Sequence, residues 1–322
     1  MLLVSLTQST APIIGPISRF FGVVMDYIYN ILKNGLGLES IGMSIILFTI
    51  FTRLLLLPLA FKQQKSMREM QKLQPEMKKI QDKYKNKKDP ESQQKMQMEI
   101  SQLYQKHGTS PFSGCLPLIV QLPIIWALFQ VLRNLPAYIG SVRDIYLGIV
   151  SKISGISGIS SVLLEINEGL KSLGVPNFDP TSENHLIDLF SKFTTDQWNL
   201  LFEKMPQLST VLADSLAHIN KINYLLGINL ADNPNLMSIG VLIPVLNVAA
   251  QFLVSKLSMD KNAGGNDQAA QTNKTMMYTM PFVTGFFVIS MPAGLGLYWL
   301  VGTLFQLVQQ IVINKYLDEK KA

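Results

Sequence analysis

One arginine sits where a membrane-crossing helix tolerates it least. Residues 41–61 form a 21-residue apolar run whose only charge is Arg53. At ~1.5 Å per residue, such a run crosses a ~30 Å hydrocarbon core. A charge at that depth costs about 2.5–3.5 kcal/mol on insertion scales. Arg53 must therefore either snorkel about 12 Å toward the nearer surface or face a hydrated cavity. Four more apolar runs follow at 111–135, 236–257, 276–291 and 293–314. With 16% charged residues, the chain falls below the ~25% of an ordinary soluble domain. A single soluble globule and a disordered chain are both excluded. The expected fold is an all-α polytopic membrane protein with five transmembrane helices.

Charge sets the orientation. Residues 62–107 carry twelve Lys/Arg against six Asp/Glu, whereas 136–235 carry six against ten. Lys62, Lys65 and Arg68 directly follow the first span, so residues 62–110 are assigned to the cytoplasm. Five spans then place the N-terminus and residues 136–235 outside. Residues 258–275 and the tail 315–322 fall inside. In the N-terminal segment 1–40, Ile17, Phe20, Phe21, Val24, Ile28 and Leu32 recur at helical spacing. They predict an amphipathic helix lying on the membrane surface. In 136–235, helices are expected around 186–202 and 208–222.

The cytoplasmic segment carries two apolar stripes. Met67, Met70, Leu73, Met77, Ile80 and Tyr84 form one, and Met96, Ile100, Leu103 and Tyr104 the other. Pro75 kinks or restarts the first helix, Asp89 caps the second, and Pro90 suits its first position. The stripes predict an antiparallel helical hairpin. Its methionines either only pack the hairpin or accept varied apolar partners. Its basic face suits anionic lipid, ribosomal RNA or a targeting receptor.

Polar residues inside the spans point to a cavity. Asn247 and Gln251 share one helix face, as do Gln306 and Gln310, with Thr49 one turn before Arg53 and Gln121 in the second span. With the orientation above, Arg53, Gln121, Asn247, Gln251, Gln306 and Gln310 gather in the cytoplasmic half. A channel needs polar groups along its whole length. A hydrophilic groove open to the cytoplasm and closed outside fits better. Interhelical hydrogen bonding accounts for each Asn or Gln separately, but the spans hold no Asp or Glu to pair with Arg53. The lone Cys115 and the scattered His107, His185 and His218 give no disulfide and no ligand spacing. No metal or cofactor is expected, and no phosphate-binding or nucleophile motif is visible.

Four stretches carry a family resemblance: FTRLLLLPL at 51–59, LQPEMKKIQDKYK at 73–85, GCLPLIVQLPIIWALFQVL at 114–132 and PAGLGLYWLVGTLFQLVQQ at 292–310. The chain resembles the YidC–Oxa–Alb family of membrane protein insertases, in the shorter Gram-positive-like layout of bacterial YidC. The resemblance implies a five-helix core in a bacterial plasma membrane. It implies a groove that receives polar parts of nascent membrane proteins while their apolar spans slide out into lipid, with no enzymatic reaction. It marks Arg53 as the groove cation and Gln121, Asn247, Gln251 and Gln306 as lining residues. Tyr298 and Trp299 take the aromatic positions of the last span. The hairpin, with Met67, Met70, Met77 and Met96, becomes the recruiting element. Nascent membrane proteins and the lipid bilayer are the implied partners, with a Sec-type translocon, ribosome or signal recognition particle left open, and a monomer is expected. Residues 136–235 are longer than the family layout calls for. Two alternatives stay open: a small-solute transporter, which would need inverted repeats and acidic residues in the spans, and an assembly chaperone acting only beside a translocon.

Overall fold

Most of the apolar runs become helices, and one of them is broken at a proline. In the computed structural model, residues 8–319 are described apart from 10, 86, 88, 109–115, 236 and 259–267. The described chain is almost wholly α-helical, with one two-stranded antiparallel ladder. It divides into two compact units: Met1–Phe51, Pro123–Leu246 and Gly285–Val301; and Thr52–Leu122, Asn247–Thr284 and Gly302–Ala322.

The predicted first span is not one straight helix. α2 (Ile41–Leu55) ends and α3 (Leu57–Lys72) begins across a 58° bend. Pro58 has no N–H to return to the Leu54 carbonyl, so the ladder breaks there. α3 also runs eleven residues past the expected end at 61. Residues 109–115, with Cys115 and the start of the second span, lie outside the described residues. α6 (Leu116–Arg133) follows. Among the described residues, two stretches, Ile239–Leu257 and Ala293–Glu319, are long and apolar enough to cross a membrane, or three if the bent pair is one span. Leu122–Arg133 and Tyr278–Ile289 are shorter apolar helices. The helices that carry the last three of these stretches along the chain are α13 (Leu242–Ser258), α14 (Gln268–Ile289) and α15 (Ala293–Glu319). α14 begins within the expected 258–275 loop, so part of that loop is helical.

In the first unit, α1 (Ile14–Leu36) covers the segment expected to be amphipathic and packs one face on the core. Ser18, Phe21, Met25, Tyr29 and Leu32 are buried, while Phe20, Val23 and Tyr27 are exposed. Gly22 decides this, because a Cβ there would collide with the Tyr138 ring. Ser18 Oγ donates to the Ala127 carbonyl at 3.2 Å on the same face. α7 (Gly140–Ile153), α8 (Ile159–Gly169), α9 (Glu183–Phe190), α10 (Thr195–Lys204), α11 (Gln207–Val211) and α12 (Ala213–Asn223) make a small helical body around Phe190, Phe193 and Trp198. The expected helix over 186–202 is split, because Thr194 and Gln197 form a capping box that starts a new helix. The stretch at 208–222 is likewise divided between α11 and α12.

Glu39 ties α1 to α12. Its carboxylate meets Lys33 at 3.0 Å, His218 at 3.1 Å and Lys221 at 3.3 Å. The Lys33 hydrogen bond, seconded by Lys221 and the nearby charges, holds the carboxyl down at about 2 despite its partial burial. After α12, β1 (Tyr224–Leu225) and β2 (Ile228–Asn229) form a tight hairpin. The Leu230 carbonyl then accepts from Gly294 N at 2.9 Å, and that of Asp232 from Ala293 N at 2.8 Å. Those carbonyls satisfy two of the orphan donors at the start of α15.

Candidate functional site

The second unit holds most of the residues the sequence singled out. Arg53 lies in the last turn of α2. Its guanidinium rests on Gly302 of α15: a Cβ at 302 would stand 2.5 Å from Nη2 and 3.1 Å from Nε. Only a residue without a side chain leaves that seat open. The Arg53 Nε is buried and has no hydrogen-bond partner among the described residues. Among the described residues no carboxylate forms an ion pair with it. The neighbouring Thr303 donates to Asn247 Oδ1 of α13 at 3.3 Å. Asn247 is fully buried, and its Nδ2 is also unpartnered. α2 and α13 thus bring a guanidinium N–H and an amide N–H, each unpaired among the described residues, to two consecutive residues of α15. Two donors without acceptors are costly in a dry interior, and they suit a place that water or a polar guest enters.

Gln306 and Gln310 lie one and two turns beyond Gly302 on the same face of α15. Gln306 is half-buried and Gln310 buried. Gln251, one turn after Asn247, is half-buried. The Gln121 side chain lies outside the described residues. Thr49 belongs to the first unit, where its hydroxyl donates to the Ile45 carbonyl at 2.6 Å. Tyr298 and Trp299 also fall in the first unit; Tyr298 is buried and Trp299 half-buried against that core.

The ladder on α15 extends further than expected. Continuing by fours from 302 through 306 and 310 reaches Asn314 and Asp318. Arg68 of α3 donates to Asp318 Oδ1 at 2.8 Å, to Asn314 Oδ1 at 3.0 Å and to the Asn314 carbonyl at 3.2 Å. Gln64, one turn earlier, donates to Asn314 Oδ1 at 2.9 Å. Gly302, Thr303, Arg68, Asn314 and Asp318 were missed as site residues. The period-four polar ladder on α15 could have found two of them, Asn314 and Asp318; the link from 68 to 314 has no local signal.

The hairpin is α4 (Gln74–Tyr84) against α5 (Pro90–Lys106). Asp89 caps α5, accepting from Ser92 N at 2.8 Å, and that bond lowers its carboxyl pKa. Leu73, Tyr84 and Leu103 are buried. Glu99 accepts from Lys83 at 2.6 Å and from Tyr84 Oη at 2.8 Å. The Lys83 bond is the main cause of the lowered Glu99 pKa. The stripe from Met67 to Tyr84 divides at Leu73, so Met67 and Met70 belong to α3. Met77 packs within the hairpin, its sulfur accepting from Tyr104 Oη at 3.2 Å. Met96 is half-buried, whereas Met98 is exposed. Among the described residues, no group of three His, Cys, Asp or Glu could hold a metal ion.

Comparison with known proteins agrees with the resemblance in the motifs. The family model of the 60Kd inner membrane protein matches residues 31–321. A protein of Fusobacterium nucleatum named membrane protein insertase YidC is 32% identical over 300 residues, covering 90% of this chain and 98% of its own. The membrane protein insertase MisCA of Bacillus subtilis is 30% identical over 276 residues, covering 86% of this chain and 71% of its own. ALBINO3-like protein 1 of Arabidopsis thaliana is 27% identical over 296 residues, or 91% of this chain and 47% of its own.

Proposed function

The chain belongs to the 60Kd inner membrane protein family, and from that premise we propose that it is a membrane protein insertase and folding chaperone of a bacterial plasma membrane. The observation that carries the reading is Arg53: a cation seated on Gly302, with a buried N–H that finds no acceptor among the described residues.

The mechanism follows from solvation. A polar segment crossing hydrocarbon loses water from every charge and every unpaired amide. A hydrated groove lined by Arg53, Asn247, Gln251, Gln306 and Gln310 shortens that path from the cytoplasmic side, with Gln121 as a further lining position. Arg53 and the Asn247 amide offer donors to carboxylates and carbonyls of the incoming segment. The Arg53 Nε and the Asn247 Nδ2 give up no partner among the described residues when they bind. The substrate's own apolar span then partitions into lipid, which drives release. No nucleotide hydrolysis is required. The bend between α2 and α3 places the basic segment directly after the Arg53 turn along the chain. The α4–α5 hairpin is assigned to recruitment through its basic and methionine-bearing faces. Nascent membrane proteins and lipid are the direct partners; a Sec-type translocon, a ribosome or a signal recognition particle would deliver or share them. The N-terminus is assigned to the outside and the C-terminus to the cytoplasm.

The test is insertion of a single-span substrate with a short acidic N-terminal tail into liposomes holding the purified protein. The wild type inserts it, Arg53→Lys retains most insertion, and Arg53→Ala loses it at equal abundance and fold. Equal insertion by Arg53→Ala would remove the cation from the mechanism. Failure of the wild type in defined liposomes would favour the translocon-dependent chaperone.

A further inference from the structure

The β1–β2 hairpin ends in an unusual turn. Tyr224 pairs with Asn229 and Leu225 with Ile228, leaving Leu226 and Gly227 as the two central residues. Both have positive φ, 51° and 80°. That is the pattern of a type I′ turn, whose first central position favours Asn, Asp or Gly. Leucine is disfavoured there, because its Cβ crowds the following carbonyl. It is also 89% exposed. A residue unfavourable in backbone conformation and unfavourable in water suits an apolar surrounding.

That surrounding is indicated by the neighbours. A Cβ on Gly227 would contact Ile239 Cδ1 at 3.8 Å, so the turn abuts the start of the membrane-length stretch Ile239–Leu257. Met237 is fully exposed and Ile239 is 58% exposed. The exposed apolar surface continues down α13 through Leu242, Val245 and Leu246. Tyr224 is exposed at the hairpin base, where an amphipathic ring suits a membrane–water boundary. Between Lys221 and Lys256 the only charged side chain is Asp232, and its carboxylate accepts from Thr195 and Asn229. The hairpin base is fixed: Leu225 and Leu230 lie against Gly42 at the start of α2, too close for any Cβ there.

We propose that Leu226, with Met237 and Ile239, forms a rigid wedge embedded in the bilayer leaflet at which α13 begins. Its occupant is lipid, because the patch is continuous with the exposed apolar face of that membrane-length helix. The wedge anchors the helical body of the first unit to the bilayer surface, apart from any role of Arg53.

The test uses the full chain with Cys115 replaced by Ser and a single cysteine at Leu226→Cys, Met237→Cys or, as a solvent control, Glu168→Cys. Each is labelled with an environment-sensitive fluorophore and reconstituted in phosphatidylcholine–phosphatidylglycerol vesicles. Labels at 226 and 237 should be quenched by lipids spin-labelled near the head group about twofold or more above the control, and by aqueous iodide correspondingly less. Quenching equal to the control at both sites would overturn the proposal. Protection from iodide without quenching by lipid would also overturn it, in favour of a protein or a second copy covering the patch. Leu226→Gly separates wedge from fold: glycine is at ease at φ 51°, so the hairpin persists. The label at 237 should then become less quenched by lipid; an unchanged signal would assign no anchoring to Leu226. None of these readings depends on insertion activity.

Discussion

Replacing Arg53 with methionine should stabilise the protein while impairing it. The Arg53 Nε is buried without a partner among the described residues, and a buried N–H left unpaired costs ~1–3 kcal/mol. Methionine keeps an unbranched side chain over Gly302 and removes the donor and the charge. The expected gain is therefore ~1–3 kcal/mol, falling toward zero as water in the recess accepts from Nε. For a chain of this size that is a rise in melting temperature of about 1.5–4.5 °C. The assay is paired: thermal unfolding in mild detergent, and liposome insertion of the acidic-tailed substrate. Gly302→Ala is the companion variant. Its Cβ would start 2.5 Å from Nη2, so the guanidinium must retreat about 1 Å to reach ordinary contact. Insertion should fall while the charge remains. If Arg53→Met instead melts lower than wild type, the arginine is a structural group and the open-recess reasoning fails. If the variant melts higher and still inserts the acidic substrate fully, the stability argument stands and the cation's role does not.

Three further outcomes are expected. Thr303→Val, Asn247→Leu and their double variant should show a coupling of about 0.6 kcal/mol and no more than ~1.7, the range of hydrogen bonds between membrane helices; coupling indistinguishable from zero in denaturant titrations would dissolve the pair. Arg68→Ala, which removes three hydrogen bonds to Asn314 and Asp318, should raise amide exchange in the last turns of α15 and leave α1 unchanged. Glu39 has its carboxyl depressed to about 2, so its contribution is present above about pH 4.5 and lost as pH falls through that value toward 2. Glu39→Gln should lose ~1–2 kcal/mol of local stability at pH 7, after allowing for the solvated lysines. The difference from wild type should shrink on acidification, as read by proteolysis of the α1–α12 contact.

Much was legible from local patterns, because a helix puts residues three and four apart on one face and its ends have few chemical solutions. Asp89 followed by Pro90 marked the start of α5, and the cap is there at 2.8 Å. Pro75 marked the restart of the hairpin, and Asn247–Gln251 and Gln306–Gln310 marked polar faces before any packing was known. Arg53 stood out because a lone charge in an apolar run demands an explanation. Pro58 also carried a local signal, but the unbroken apolar pattern over 41–61 concealed it, and the bend in the helix was missed.

What remained was decided by contacts between distant parts of the chain. Hydrophobicity could not choose the buried face of α1, because Phe20 and Phe21 are equally apolar; the Tyr138 ring against Gly22 chose it. Gly302 reads as an ordinary helix glycine until the guanidinium of Arg53 is laid across it, and Arg68 as a solvated charge until Asn314 and Asp318 arrive from 246 and 250 residues away. Leu226 reads as one more core leucine, yet tertiary structure puts it at the tip of a turn with nothing over it. The sequence by itself determined which segments are helical and which carry unaffordable polar groups, since those depend on neighbours within a turn. Only the tertiary structure decided which polar groups meet, because an orphan donor is defined by the partners that topology withholds.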